Sequence, residues 1–369
     1  MTVGALSSSS SWVFFFQKLL LLLVGSALTY FVSGHLMKET NQNTRATKED
    51  RARLKQVARS LGLDHRVVEC LDSYEGQLLV DNVLLPGDVH DTFDNVVGLD
   101  TQITLLKRLV VDPLRTDGSS EVVVRTVNGV LLHGVPGTGK SLLARATAKA
   151  LACPFLNFDI TSVEDKYVGE SNRRLRAVFT LAHKLGRCVI FFDEFDGVAS
   201  RRNYALDQSH VNSLKTQLLK LMDGVSAPPP ATEKEQKRSR IVLMAATNNL
   251  DNIDKAFVRR LRVHVNVPLP TAEAVREMLA RNLGAHGYSA PSTLHTAVVQ
   301  RCVRARMSGS DLAQLCVLAQ NEAALNQQDS GGHAGAAAVV RVTEAHVLAA
   351  LALLEGSACS AAQAVTAAA

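Results

Sequence analysis

Aromatic residues are scarce in this 369-residue chain: they make up 5% of it, with one tryptophan and five tyrosines against twelve phenylalanines. An aromatic outside any apolar pattern therefore asks for a reason. The six cysteines, Cys70, Cys153, Cys188, Cys302, Cys316 and Cys359, include no CxxC pair. That spacing suggests neither a zinc site nor a disulfide framework, and it fits a reducing compartment. No histidine is followed by glutamate, so the HExxH zinc motif of a metalloprotease is absent. Charge of one sign is not concentrated either: the net charge of +5 is mildly basic, without the Lys/Arg face that a nucleic-acid partner requires. With 47% hydrophobic residues the chain has enough apolar material for one large domain or two modest ones.

One long apolar run is present. Residues 12–34, WVFFFQKLLLLLVGSALTYFVSG, hold a single charge, Lys18, and match the length that crosses ~30 Å of hydrocarbon. Lys18 sits near one end, where it can snorkel to the interface beside Trp12. A cleaved signal peptide is disfavoured, because no positive charge precedes Trp12 and no small-residue cleavage site follows. After Gly34 come Lys38, Arg45, Lys48, Arg51, Arg53, Lys55 and Arg59. The positive-inside rule then leaves the C-terminal bulk in the cytosol and the lipid bilayer in contact with 12–34.

Residues 44–61, TRATKEDRARLKQVARSL, place Leu54, Val57, Ala58 and Leu61 at i, i+3, i+4, i+7, which predicts a juxtamembrane helix with a narrow apolar stripe. Pro86-Gly87 and the polar run to Asp94 read as a linker. Beyond it, near-continuous apolar runs (GVLLHG, CPFLNFDI, CVIFFD, IVLMAAT, RVHVNV) alternate with helical stretches. Such runs are buried on both faces, so the fold class is α/β with a parallel sheet between helices. From Thr271 the pattern turns helical, giving a small all-helical domain. The expected organisation is a short tail at 1–11, a transmembrane helix at 12–34, a helical linker at 35–91, a large subdomain at 92–270, a small subdomain at 271–355 and an Ala-rich disordered tail at 356–369. The stretch 226–239, SAPPPATEKEQKRS, reads as a flexible surface insertion.

The chemistry starts at Gly134-Val135-Pro136-Gly137-Thr138-Gly139-Lys140-Ser141, a full match to G-x-x-x-x-G-K-[ST] between an apolar strand and the helix that Leu142 continues. The glycines let backbone N–H groups surround the phosphates of ATP; Lys140 reaches the β/γ phosphates and Ser141 offers a hydroxyl to Mg²⁺. The run Cys188–Phe192 ends in Asp193-Glu194. That acidic pair divides the work: Asp193 holds Mg²⁺ and Glu194 polarises the attacking water. Thr247-Asn248 closes the next strand at the ligand edge of a parallel sheet, where Asn248 either orients the water or caps a helix. Arg259 and Arg260 follow a short helix with no acid beside them to pair with, and an arginine supplied from outside the site speeds triphosphate hydrolysis by ~10³ to 10⁵.

In this order the pieces resemble the AAA ATPases over roughly residues 92–355. The resemblance implies that Asp94–Leu99 (DNVVGL), with Val97 and Gly98, contacts adenine, and that Ser308–Leu312 (SGSDL), with Gly309 and Ser310, closes over the nucleotide. It implies a homohexameric ring in which Arg259 and Arg260 act on the neighbour's ATP. It also accounts for the exposed aromatic: Lys166-Tyr167-Val168-Gly169 matches the family's K-aromatic-x-G loop, which lines the central pore and grips substrate. The single N-terminal span, basic linker and lone ATPase module look like the branch at the outer mitochondrial membrane and peroxisome that extracts mislocalised tail-anchored proteins. This sequence departs from that branch at Val135 (usually proline), Val168 (often a second aromatic), Asn249-Leu250 (commonly Arg-Pro) and in the long 226–239 insertion.

Two other readings share these features. A microtubule-severing ATPase would use Arg173, Arg174, Arg201 and Arg202 against acidic tubulin tails. A catalytically weak membrane scaffold would lose the lysine or acidic pair, yet Lys140, Asp193 and Glu194 are all present.

Overall fold

β-Branched and aromatic residues in unbroken runs fit strands covered on both faces. The computed structural model describes residues 52–63, 65–115, 129–159, 170–200, 209–226, 240–284, 293–329 and 341–354. In it the apolar runs form β2 (Gly129–His133), β3 (Phe155–Asp159), β4 (Arg187–Asp193), β5 (Arg240–Thr247) and β6 (Val263–Asn266), joined by a two-residue β1 (Val83–Leu84). The spatial order is β1-β3-β4-β5-β2-β6. β2 to β6 pair in parallel, while β1 pairs antiparallel with β3, Val83 opposite Leu156. The sheet is thus mixed rather than wholly parallel.

Alternation along β4 decides what covers each face. Val189 and Phe191 share one core with Ile103, Leu106 and Val110 of α2 and Leu143 of α3. Here α2 runs as Asp100–Leu106, a π turn at Lys107–Val111 and Asp112–Arg115, and α3 is Lys140–Leu151. Phe192 points to the opposite face, where it stacks on Phe179 of α4 (Glu170–Leu185). The remaining large-subdomain helices are α5 (Asp196–Ala199), α6 (Ser209–Ser226) and α7 (Lys255–Val258). A separate core built on Leu279, Val299, Leu312, Leu315 and Leu351 holds α8 (Ala272–Gly284), α9 (Thr293–Arg304), α10 (Gly309–Asp329) and α11 (344–354) together.

The chain divides into two compact units, Met1–Val68 and Glu69–Ala369. In the first, the expected amphipathic helix is present at 52–60, with Ala58 buried. It stops at Gly62, whose φ of +64° suits glycine, as Gly62 and Leu63 donate back to the Arg59 and Ala58 carbonyls. The second unit starts well before the expected boundary at residue 92. Helix α1 (Ser73–Asp81) is capped by Asp72 and Glu75 in a reciprocal box, and Glu75, only 3% exposed, also takes a salt bridge from Lys184 of α4. A stretch that reads as linker is therefore packed, because D-x-x-E is a helix start and Leu78 and Leu79 are core residues.

The expected membrane span 12–34, the loop Lys166–Gly169, the insertion beyond Ser226 and the tail 356–369 lie outside the described residues. Among the described residues no helix is long and apolar enough to cross a membrane.

Candidate active site

The parallel strands deliver their C-terminal ends to one edge, bringing His133, Asp193 and Thr247 close in register. The chain after β2 turns through the glycine loop into α3. Gly137 and Gly139 hold φ of +76° and +96°, a left-handed region that disfavours any Cβ. A Cβ at Gly139 would meet nothing within 4 Å, so open space lies beside the loop there. That is the form a phosphate cradle needs.

Lys140 is buried at 8% exposure, and its ammonium donates to the carbonyls of Gly134 (2.8 Å) and Val135 (3.0 Å) and to Asn248 Oδ1 (2.8 Å). Burial lowers its pKa, while the carboxylates of Asp193 and Asp196 pull it back up. Ser141 Oγ donates to Asp193 Oδ2 at 2.8 Å, and the Glu194 N–H donates to Asp193 Oδ1 at 3.0 Å. Among the described residues no group of three His, Cys, Asp or Glu side chains could form a protein-only metal cage. A hydroxyl and one carboxylate are what Mg²⁺ commonly takes when phosphates and water complete its shell, so the residues fit that ion.

Glu194 is exposed and has φ of +46°, unusual for a residue with a Cβ. Next to it, Asp196 Oδ1 accepts from Thr247 Oγ1 at 3.2 Å, and Thr247 is buried at the end of β5. The two readings of Asn248 separate here. Asn249 performs the cap, accepting from the Asp251 N–H, whereas Asn248 faces Lys140.

The two segments assigned by resemblance to the nucleotide lie where the large and small subdomains meet. A Cβ on Gly98 (φ +75°) would sit 2.4 Å from the Ala274 Cβ of α8, beside buried Val97, and Arg281 donates to the Asp94 carbonyl at 2.7 Å. At the start of α10, the Ser310 N–H donates to the Gly137 carbonyl at 3.1 Å, and a Cβ on Gly137 would lie 2.1 Å from Ser310 Oγ. Gly309 is close enough that its own Cβ would meet the Gly137 carbonyl at 3.2 Å. Leu142, half-buried, packs on the sheet core and anchors the first turn of α3.

The arginines differ from each other. Arg259 is exposed at the end of α7, where its charge helps lower the Asp223 carboxyl. Arg260, by contrast, grips Asp223 of α6 with Nε and Nη2, both at 2.6 Å, and its Nη1 donates to the Ala256 carbonyl. The hydrogen bond to Arg260 holds the Asp223 carboxyl below its usual range and raises Arg260 in turn. Asp254, the acid nearest this pair in the sequence, caps α7 at the Ala256 N–H; folding brings Asp223 to Arg260 from a distant helix. Asp196 and Asp223 are the site's neighbours that the sequence reading did not single out. Of these, only Asp196, adjacent to the acidic pair, carried a local signal.

Residues 130–269 match the AAA family, described as the ATPase family associated with various cellular activities. A Danio rerio protein named outer mitochondrial transmembrane helix translocase is 31% identical over 297 residues, covering 80% of this chain and 74% of the relative. A Caenorhabditis elegans mitochondrial sorting homolog is 28% identical over 313 residues, with 84% and 86% coverage. The crystal structure of the FIGL-1 AAA domain in complex with ADP superposes with a TM-score of 0.59 at 25% identity, covering 78% of this chain and 89% of that one.

Proposed function

This chain belongs to the AAA ATPase family, and from that premise we propose that it is an ATP-driven translocase of the mitochondrial outer membrane that pulls mislocalised tail-anchored proteins from the bilayer. In this reading six copies form a ring, 12–34 anchors it, the ATPase unit faces the cytosol, and substrate passes through the central pore. The observation that carries the proposal is a complete loop-and-acid site in a chain related over most of its length to a named helix translocase.

Each site residue has a task. Backbone N–H groups from Gly134 to Ser141 would bind the phosphates of ATP, and Lys140 would exchange the loop carbonyls it now holds for phosphate oxygens. Ser141 and Asp193 would hold Mg²⁺, which neutralises charge on the phosphates when bound. Glu194 accepts the proton of the attacking water, and Asn248, already at the lysine, orients that water. Val97 and Gly98 take the adenine side, while Gly309 and Ser310 bring the small subdomain onto the loop. Arg259 and Arg260 act on the neighbour's ATP.

Removing a ~20-residue span at ~0.5 kcal/mol per apolar residue costs on the order of 10 kcal/mol. A machine taking repeated small steps suits that load, and Lys166-Tyr167-Val168-Gly169 would supply the grip.

The severing alternative leaned on four arginines. Of the two described, Arg174 already has an interaction within the fold, which leaves Arg173 as the exposed one. The scaffold alternative is opposed by the intact Ser141–Asp193 contact. The test places the full-length protein in liposomes with a tail-anchored reporter, wild type beside Tyr167→Ala, and repeats the binding measurement with microtubules. The proposal expects extraction by wild type, retained ATP turnover without extraction in Tyr167→Ala, and no microtubule pelleting. Pelleting without extraction would replace it with severing.

A further inference from the structure

In a chain poor in aromatics, five of the twelve phenylalanines form one connected buried row. Phe158 of β3 meets Phe192 of β4 edge-on at 6.0 Å, and Phe179 of α4 stacks on Phe192 at 6.2 Å. Phe192 then contacts Phe195 at 6.0 Å, and Phe195 meets Phe257 of α7 edge-to-face at 5.2 Å and 83°. Both Phe195 and Phe257 are wholly buried. The row ends between two parts of the hydrolysis machinery.

Phe195 directly follows Glu194, whose left-handed backbone would relax unless held on both sides. On one side the Glu194 N–H is fixed by Asp193 Oδ1. On the other, the Phe195 N–H donates to the Ala246 carbonyl at 2.8 Å, the Gly197 N–H to the Glu194 carbonyl at 3.0 Å, and the ring fills the space against Phe257. Phe257 lies two residues before Arg259. The helix it belongs to is tied a second time to the same turn: the Asp254 N–H donates to the Ala199 carbonyl at 2.8 Å, and Ser200 bridges Ile253. A shift of α7 therefore presses on the residue that fixes Glu194.

We propose that Phe195 and Phe257 are positioning residues: their edge-to-face contact holds Glu194 in its left-handed conformation and links that conformation to the helix presenting Arg259 and Arg260. The proposal rests on the roles given above to Glu194 and the arginines. Arginines that engage a neighbouring subunit's nucleotide thereby report to the base of their own subunit, through a contact between two rings rather than through solvent.

The test uses the full-length protein in detergent and measures kcat and KM for ATP, with melting temperature alongside, for Phe195→Met, Phe257→Met, the double variant, Phe179→Met and Glu194→Gln. Methionine nearly conserves volume while removing the ring. Each of the first two variants is expected to lower kcat about tenfold with KM within about twofold of wild type, and the double variant to fall no further than either single, as for residues acting as one unit. Phe179→Met, in the same row but joined to it through Phe192 rather than Phe257, is expected to lower the melting temperature and keep kcat. Should Phe195→Met not fold, Phe257→Met alone reads the effect against Phe179→Met. Unchanged kcat, a change in KM alone, multiplying effects in the double variant, or an equal loss in Phe179→Met would overturn the proposal while leaving the site reading intact if Glu194→Gln is inactive. Full turnover by Glu194→Gln would overturn both.

Discussion

Ser141 and Asp193 meet at 2.8 Å, hydroxyl to carboxylate, across the junction between the glycine loop and the end of β4. Two motifs far apart in the chain are thereby joined into one pair of oxygen donors. Asp193 is also the acceptor for the Glu194 N–H, so the carboxylate that would hold the ion also fixes the start of the turn after β4.

Asp193→Asn removes the charge and keeps the shape. The expected result is ATP turnover that needs at least about tenfold more Mg²⁺ for half-maximal rate, in line with the ~1.5–3 kcal/mol attached to a charged hydrogen-bonding group. A Mg²⁺ titration of the ATPase rate checks it, with ADP binding in the absence of the ion expected to persist.

Gly98→Ala tests the contact between the large and small subdomains. The new methyl would lie 2.4 Å from the Ala274 Cβ, which has no rotamer to escape into, and the backbone is left-handed as well. Overpacking and the disfavoured φ together are expected to cost about 2–4 kcal/mol. Gly137→Ala shares the left-handed backbone but should cost less in thermal stability, since its near obstacles are the Ser310 and Ser308 hydroxyls, which can rotate. Melting temperatures of the two variants rank them.

Acid should erase the Asp223–Arg260 pair. The folded-state pKa of Asp223 lies below its ordinary value because of the Arg260 hydrogen bond. Its contribution is therefore fully present above the unfolded value, near 3.8, and disappears as pH falls through the lower folded value. Asp223 is 57% exposed, so the pair is worth at most about 1 kcal/mol. The difference in melting temperature between wild type and Asp223→Asn is expected to be small at pH 7 and to vanish as pH falls through the lowered folded-state value of Asp223.

Thiol labelling followed by mass spectrometry reads burial directly. Cys70 is exposed, whereas Cys153, Cys188, Cys302 and Cys316 are buried. Burial pushes the Cys153 thiol up to about 12 and Cys316 up to about 11, and raises Cys188 as well. At pH 8 Cys70 is expected to react in the native protein and the four buried thiols only after denaturation.

Features carried by adjacent residues were legible in the sequence. The loop Gly134–Ser141 and the pair Asp193-Glu194 each combine an apolar strand with its own polar end, so the motif and the fold signal coincide. Relationships between distant segments were not. Nothing local marks Asp223 as the partner of Arg260, or Lys184 as the partner of Glu75. Helix Ser73–Asp81 falls within the expected helical linker, but its polar first turn does not show that Leu78 and Leu79 reach the core. Asn248 needed coordinates for a different reason, because two adjacent asparagines offered the same cap and only geometry assigns it to Asn249. The aromatic row is invisible in sequence, since its members come from β3, α4, β4, α7 and the turn after β4.

The most direct measurement is the ATP-dependent loss of a tail-anchored reporter from liposomes carrying the full-length protein, compared with Glu194→Gln in the same membranes. The account predicts extraction by wild type only when ATP and Mg²⁺ are present, and reporter retained in the membrane with Glu194→Gln. Equal extraction by both proteins, or none by wild type despite full ATP turnover, would contradict it.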